Sequence, residues 1–230
     1  MPTDPSAGAA APAGGAALLE VRRLSVEFRA SGRSLHAVRE VSFRLDAGET
    51  LGVLGESGSG KSVTALAVMD LLDPLRATVR GKVLLRGTDL RTAGAAARND
   101  ARGRQVAMIF QDALAALNPV QCVGSQVAEV LRVRLGRSRA EARHGAVELL
   151  GRVGIPAAAR RYGSFPHELS GGMRQRVMIA MALAGAPELL LADEPTTSLD
   201  VTVQAQIVDL LRALRDEQQM ALVFITHDIG

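Results

Sequence analysis

The 230-residue chain carries 27 basic and 24 acidic side chains, a formal net charge of +3, and is 47% hydrophobic but only 3% aromatic. That length fits one large domain or a core with a small inserted domain, and the apolar fraction is ample for a packed core. The lone Cys122 excludes an internal disulfide and an all-cysteine metal cage; it reads as a small buried apolar residue.

Basic charge comes almost wholly from arginine, since Lys61 and Lys82 are the only lysines. The arginines are scattered among acids, and with no Trp and few aromatic rings the composition argues against nucleic acid as a partner. No apolar run approaches the span of a bilayer; residues 177–186 form one of the longest and are broken by Pro187 and Glu188. The start, Met1-Pro2-Thr3-Asp4-Pro5, lacks the basic flank of a secretory signal, which points to the cytoplasm.

In chain order, residues 1–17 are small and polar without periodicity and read as a disordered tail. Leu24, Val26 and Phe28 alternate with Ser25 and Glu27, which is strand patterning, and a second alternating strand follows around Val38, Val41, Phe43 and Leu45. These two predict a small antiparallel sheet. After the Ala47-Gly48 turn, residues 50–54 read as a buried strand. Then comes Gly55-Glu56-Ser57-Gly58-Ser59-Gly60-Lys61-Ser62, a match to G-x-x-x-x-G-K-[ST], with a helix pattern from Val63 onward. Its glycines let successive N–H groups point at phosphate oxygens, and the helix start adds its positive dipole end. Lys61 would reach the outer phosphates and the Ser62 hydroxyl would ligate Mg²⁺. The bland alternative is a glycine-rich turn that binds nothing.

Asp73-Pro74 stops the helix, residues 82–85 read as a strand, residues 91–102 as a helix interrupted at Gly94, and residues 105–110 as a strand ending at Gln111. A helical stretch follows, with helices predicted over 124–135 and 138–153, the second opened by Ser138 and Glu141 at capping-box spacing. A further helix is predicted over 172–183, then a buried strand over 189–192 ending in Asp193-Glu194. Residues 201–214 are amphipathic, with Val201, Ile207, Leu210, Leu211 and Leu214 on one face. Residues 221–226 form a last strand, ending at His227. At the end of its strand Asp193 would lie near Mg²⁺, and Glu194 could take a proton from an attacking water. The remaining histidines, His144 and His167, have no ligand-like spacing.

Leu169-Ser170-Gly171-Gly172-Met173-Arg174-Gln175-Arg176, downstream of the phosphate loop and just before the Asp-Glu strand, resembles the signature of the ATP-binding-cassette family. The resemblance covers nearly the whole ordered chain. It implies an α/β fold: a phosphate-loop NTPase (RecA-like) core over residues 18–113 and 171–230, with a small antiparallel β subdomain, and a helical subdomain inserted at 114–170. It implies ATP and Mg²⁺ as cofactors, bound by Gly55, Glu56, Ser57, Gly58, Ser59, Gly60, Lys61, Ser62 and Val63, with Ser62, Gln111 and Asp193 at the Mg²⁺. Phe28 resembles the aromatic residue that stacks on adenine, with His36 as the alternative neighbour of the base. Ser198, Leu199 and Asp200 resemble the D-loop, and Glu194 and His227 the catalytic pair. Ser170, Gly171, Gly172 and Met173 would touch the ATP of a second ATPase subunit, homologous or identical.

Residues 55–63, Phe110-Gln111-Asp112, Leu117-Asn118-Pro119 and 165–173 resemble the peptide/nickel importer branch. That branch implies two membrane permease subunits, indirectly an extracytoplasmic substrate-binding protein, and a peripheral place on the cytoplasmic face of the membrane. Members of the branch run on past the histidine, so the chain reads as truncated, with weakened stability and activity expected. The alternatives are a nucleotide-binding fragment without turnover and a soluble cassette ATPase acting on nucleic acid or ribosomes.

Overall fold

The computed structural model describes residues 17–30, 33–197 and 199–227. Strand β1 (Leu19–Ala30) pairs antiparallel with β2 (Arg33–Leu45) and β4 (Ala77–Leu85), and the short β5 (Thr88–Asp89) completes a sheet of order β2-β1-β4-β5. The antiparallel sheet thus exceeds the two strands that precede the phosphate loop. A second sheet is parallel: β3 (Thr50–Leu54), β8 (Ala221–Thr226), β7 (Leu189–Asp193) and β6 (Val106–Ile109), in that spatial order. Helices α1 (Lys61–Val68), α2 (Ala95–Asp100), α3 (Ala113–Ala116), α4 (Val123–Leu135), α5 (Arg139–Arg152), α6 (Ala158–Arg161), α7 (Gly171–Leu183) and α8 (Val201–Gln218) connect the strands.

Side-chain parity explains how the layers stack. Successive residues of a strand point to opposite faces, and a parallel strand covered on both faces needs apolar residues at every position. In β7, Leu190 and Ala192 join the apolar cluster under α4, α5, α7 and α8, while Leu189 and Leu191 join the cluster shared with α1 and the antiparallel sheet. Strand β8 divides likewise: Leu222 faces the helices, and Ala221, Val223 and Ile225 face the other way. The parallel sheet is therefore the middle layer, and the ends of β7 and β8 lie where both cores meet.

Capping fixes the helix starts. The Ser138 hydroxyl accepts from the Glu141 amide at 3.3 Å and the Glu141 carboxylate accepts from the Ser138 amide at 2.8 Å, the reciprocal pair that the spacing predicts. Four expectations are corrected. Strand β3 lies at the edge of its sheet among the described residues, so Leu51 and Val53 pack inward while Leu54 is 55% exposed. The helix predicted over 91–102 starts only after Gly94 and passes into a π-helical turn at Ala101–Gln105. Val201 sits on the first turn of α8, 80% exposed, because the core contacts begin with Val203 and Ile207. Cys122 is half-buried at the start of α4. Residues 1–16 of the predicted tail lie outside the described residues.

Candidate functional site

The loop between β3 and α1 takes its shape from glycine. Gly60 caps α1 at φ 91°, and a Cβ there would come within 2.3 Å of the Ala37 carbonyl oxygen, so β2 lies against the loop with no room for a side chain. Among the described residues no side chain caps α1, so the N–H groups of its first turn face the loop. Lys61, 8% exposed, folds over the loop and donates to the carbonyls of Gly55 and Glu56 at 2.7 and 2.8 Å. The result is a cradle of backbone donors with one ammonium group above it.

The end of β7 approaches this cradle. The Ser62 hydroxyl donates to Asp193 Oδ1 at 2.9 Å. Asp193 is 4% exposed, and burial pushes its carboxyl above the usual carboxylate range, opposed by the Ser62 bond and reinforced by the neighbouring Glu194 charge. Serine and aspartate oxygens this close suit Mg²⁺, which is commonly held by one or two protein oxygens together with phosphate oxygens and waters. The donor chemistry therefore fits that ion. Gln111, expected at the same ion, donates from Nε2 to Glu194 Oε2 at 2.9 Å.

Glu194 is the hub of the second half of the site. Its amide donates to the Ile225 carbonyl at 2.9 Å, extending the β7–β8 ladder by one residue, and its backbone then turns left-handed at φ 45°. Among the described residues three groups meet its carboxylate: Gln111 Nε2 and Thr197 Oγ1, both on Oε2, the latter at 3.0 Å, and His227 Nδ1, 3.1 Å from Oε1. A nearly buried carboxylate with one oxygen held by two neutral donors and the other beside an imidazole can accept a proton from a water and orient that water's attack. Thr197 was not singled out by sequence reasoning. Its signal is its place three residues after Glu194, with Pro195 between, which is a turn spacing. Gln204 was also missed: from α8 its amide donates to the carbonyls of Thr196 and Leu199 at 3.2 and 3.1 Å and holds the turn that leads away from Glu194.

Other predicted residues fall farther out. Phe28 is the Cα partner of Leu35 and Ala77 and packs, half-buried, on the antiparallel-sheet core. A cavity of about 660 Å³ opens beside the loop, lined by Leu35, His36, Val38, Gly58, Lys61 and Thr64 among others; Phe28 does not line it. At the signature segment the Ser170 hydroxyl caps α7 by accepting from the Met173 amide at 3.3 Å, which leaves its own proton available for another acceptor. Gly172 answers to a neighbour within the chain: a Cβ would meet Val203 Cγ1 at 2.8 Å. Asp200 caps α8 through the Val203 amide, and Leu199 packs on the helical core. Ser198 lies outside the described residues.

The model of the family described as ABC transporter matches residues 38–197. The chain is 54% identical over 215 residues to a putative peptide import ATP-binding protein of Brucella abortus (strain 2308), covering 94% of this chain and 65% of that protein. It is 50% identical over 214 residues to the oligopeptide transport ATP-binding protein OppD of Bacillus subtilis (strain 168), covering 93% of this chain and 60% of that one. The chain thus spans somewhat less than two thirds of the length of these relatives. Among solved structures, a dimeric ATP-binding cassette bound to ADP and Pi superposes with a TM-score of 0.81 at 29% identity, covering 92% of this chain and 88% of the other. The cbiO1 protein of Clostridium perfringens, part of an ABC transporter complex, gives 0.75 at 26% identity, covering 94% and 80%.

Proposed function

The chain belongs to the ABC transporter family, and from that premise we propose that it binds and hydrolyses ATP to energise the import of peptides through membrane permease subunits. The observation that carries the reading is the Ser62–Asp193 contact of 2.9 Å, which joins the phosphate loop to the acidic end of β7. The names of the relatives favour peptides over nickel as the cargo class.

In this reading the backbone amides of residues 55–60 and the start of α1 take the phosphates. Lys61 leaves its two carbonyl acceptors for the outer phosphate oxygens. Ser62 and Asp193 would hold Mg²⁺, which supplies charge neutralisation on the phosphates when bound. Gln111 joins them by leaving Glu194. Glu194 holds the attacking water and accepts its proton, and His227, beside Glu194 Oε1, completes the polar wall of the reacting centre. The base lies against the β1–β2 hairpin, which carries Phe28 and His36.

The partners are part of the proposal. Ser170, Gly171, Gly172 and Met173 present a helix N-terminus with an available hydroxyl proton to the ATP of a second cassette. Support comes from the dimeric state of a structural neighbour. No helix among the described residues is long and apolar enough to cross a membrane, in keeping with a peripheral subunit on the cytoplasmic face, reached indirectly by an extracytoplasmic binding protein. The test is phosphate release by the chain assembled with its permeases in vesicles, with binding protein and a short peptide outside. Peptide-stimulated release is expected. Stimulation by Ni²⁺ alone would change the cargo, and no release would remove the ATPase reading.

A further inference from the structure

We propose that Thr197 is a positioning residue for the Glu194 carboxylate, the fixed one of two donors on the same oxygen. The inference rests on the hydrolytic reading of the site and adds to it the group that keeps Glu194 aimed.

The geometry begins in the backbone. Residues 194–197 form a turn in which the Thr197 amide donates to the Glu194 carbonyl at 3.2 Å, with Pro195 buried at the second position. The left-handed backbone of Glu194, φ 45°, is uncommon for a residue with a long side chain and is held by the turn on one side and by its amide bond to Ile225 on the other. That turn brings the side chains of its first and last residues together, and the Thr197 hydroxyl donates to Glu194 Oε2 at 3.0 Å. The next turn, the Leu199 amide on the Thr196 carbonyl, is clamped by Gln204. Thr197 is therefore tied to Glu194 twice and buttressed from α8.

The second donor on Oε2 is differently held. Gln111 stands exposed just past the end of β6, on a long side chain with a 2.9 Å bond to Glu194. It shares with Thr197 a cavity of about 430 Å³ that gives its amide room to turn. Of the two, Thr197 is the more confined: its hydroxyl sits on a β-branched side chain that is stiff at χ1, one rotatable bond from a hydrogen-bonded backbone. When Gln111 swings away, Thr197 alone keeps Oε2 occupied, so that Oε1, on the His227 side, is the oxygen left to face a water. Without that bond the carboxylate can rotate and satisfy itself elsewhere, and reactive geometry is sensitive to such displacement.

The experiment compares Thr197→Val, which keeps the branched shape and removes the hydroxyl, with Thr197→Ser, which keeps the hydroxyl, and with Glu194→Gln. Hydrolysis is measured alongside affinity for a fluorescent ATP analogue and melting temperature. Thr197→Val should lower kcat by roughly ten- to a hundredfold, the scale of a hydrogen bond to a charged group, with KM, analogue affinity and melting temperature close to those of the parent. Thr197→Ser should restore most of the rate. Wild-type kcat in Thr197→Val, or a Thr197→Ser rate as low as that of the valine variant, would overturn the proposal while leaving the ATPase reading intact. Undiminished hydrolysis by Glu194→Gln would remove Glu194 from the base role and this inference with it.

Discussion

At the scale of single residues, three side chains make separable predictions. Lys61 brings its ammonium group over the loop, where it donates to the carbonyls of Gly55 and Glu56. Lys61→Ala should weaken ATP binding by roughly tenfold or more, since it removes hydrogen bonds to a charged group; titration with the fluorescent analogue measures it, and unchanged affinity would mean the phosphates bind elsewhere. Glu194→Gln keeps the size and the bonds to Oε2 but cannot take a proton. Turnover should fall by about 10²–10⁴-fold with binding intact, as phosphate release and analogue titration would show. Asp193 differs because it is buried with a raised carboxyl pKa. A raised pKa means that the folded chain holds the proton more tightly than the unfolded chain, so this stabilisation is complete below the unfolded value and is lost as pH rises through the folded one. At about pH 8 the nucleotide-free Asp193→Asn variant should therefore melt above the parent, with the gap closing as pH falls into the carboxylate range. Melting below the parent at every pH would contradict the burial argument.

Single elements show how the site is supported from outside it. Helices α7 and α8 approach at Gly172, where a Cβ would stand 2.8 Å from Val203 Cγ1. Gly172→Ala should cost about 1–3 kcal/mol of stability, the usual range for overpacking, and Val203→Ala in the same background should recover part of it. Denaturant unfolding of the single and double variants reads the coupling. No recovery would mean that the glycine serves only a ligand outside the chain. Further along α8, Gln204 holds the turn after Glu194 and Ile207, Leu211 and Leu214 anchor the helix in the core. The chemistry at the end of β7 thus depends on a helix whose own residues never reach it.

For the molecule as a whole, the middle layer is the parallel sheet, and the phosphate loop, Glu194 and His227 follow the C-terminal ends of β3, β7 and β8. Ligands of open α/β sheets bind outside the carboxyl ends of the strands. The signature segment instead starts α7 at the exposed Ser170, whose hydroxyl caps the helix. If two chains complete each other's sites, the Glu194→Gln variant should sediment as a dimer with ATP and as a monomer without it. Ser170→Arg in that background should abolish the dimer and leave ATP binding to the monomer in place. A dimer that ignored both changes would have to use another surface.

Much of this was legible along the chain because the signals are local. The glycine spacing of residues 55–62, the Ser138–Glu141 cap and the apolar run 189–192 of β7 each depend on neighbours within a few residues. Even the meeting of Ser62 with Asp193 follows from the motif pair. Tertiary structure decided the rest, since it depends on which elements pack together. Only packing puts Val201 in solvent and Leu54 at a sheet edge, and sets Gly172 against Val203. It also brings the Gln111 amide from the end of β6 onto Glu194. Thr197 stands between the two. Its turn spacing is written in the sequence, but a hydroxyl becomes a positioning group only when the fold buries the carboxylate beside it, so that water competes less for that bond.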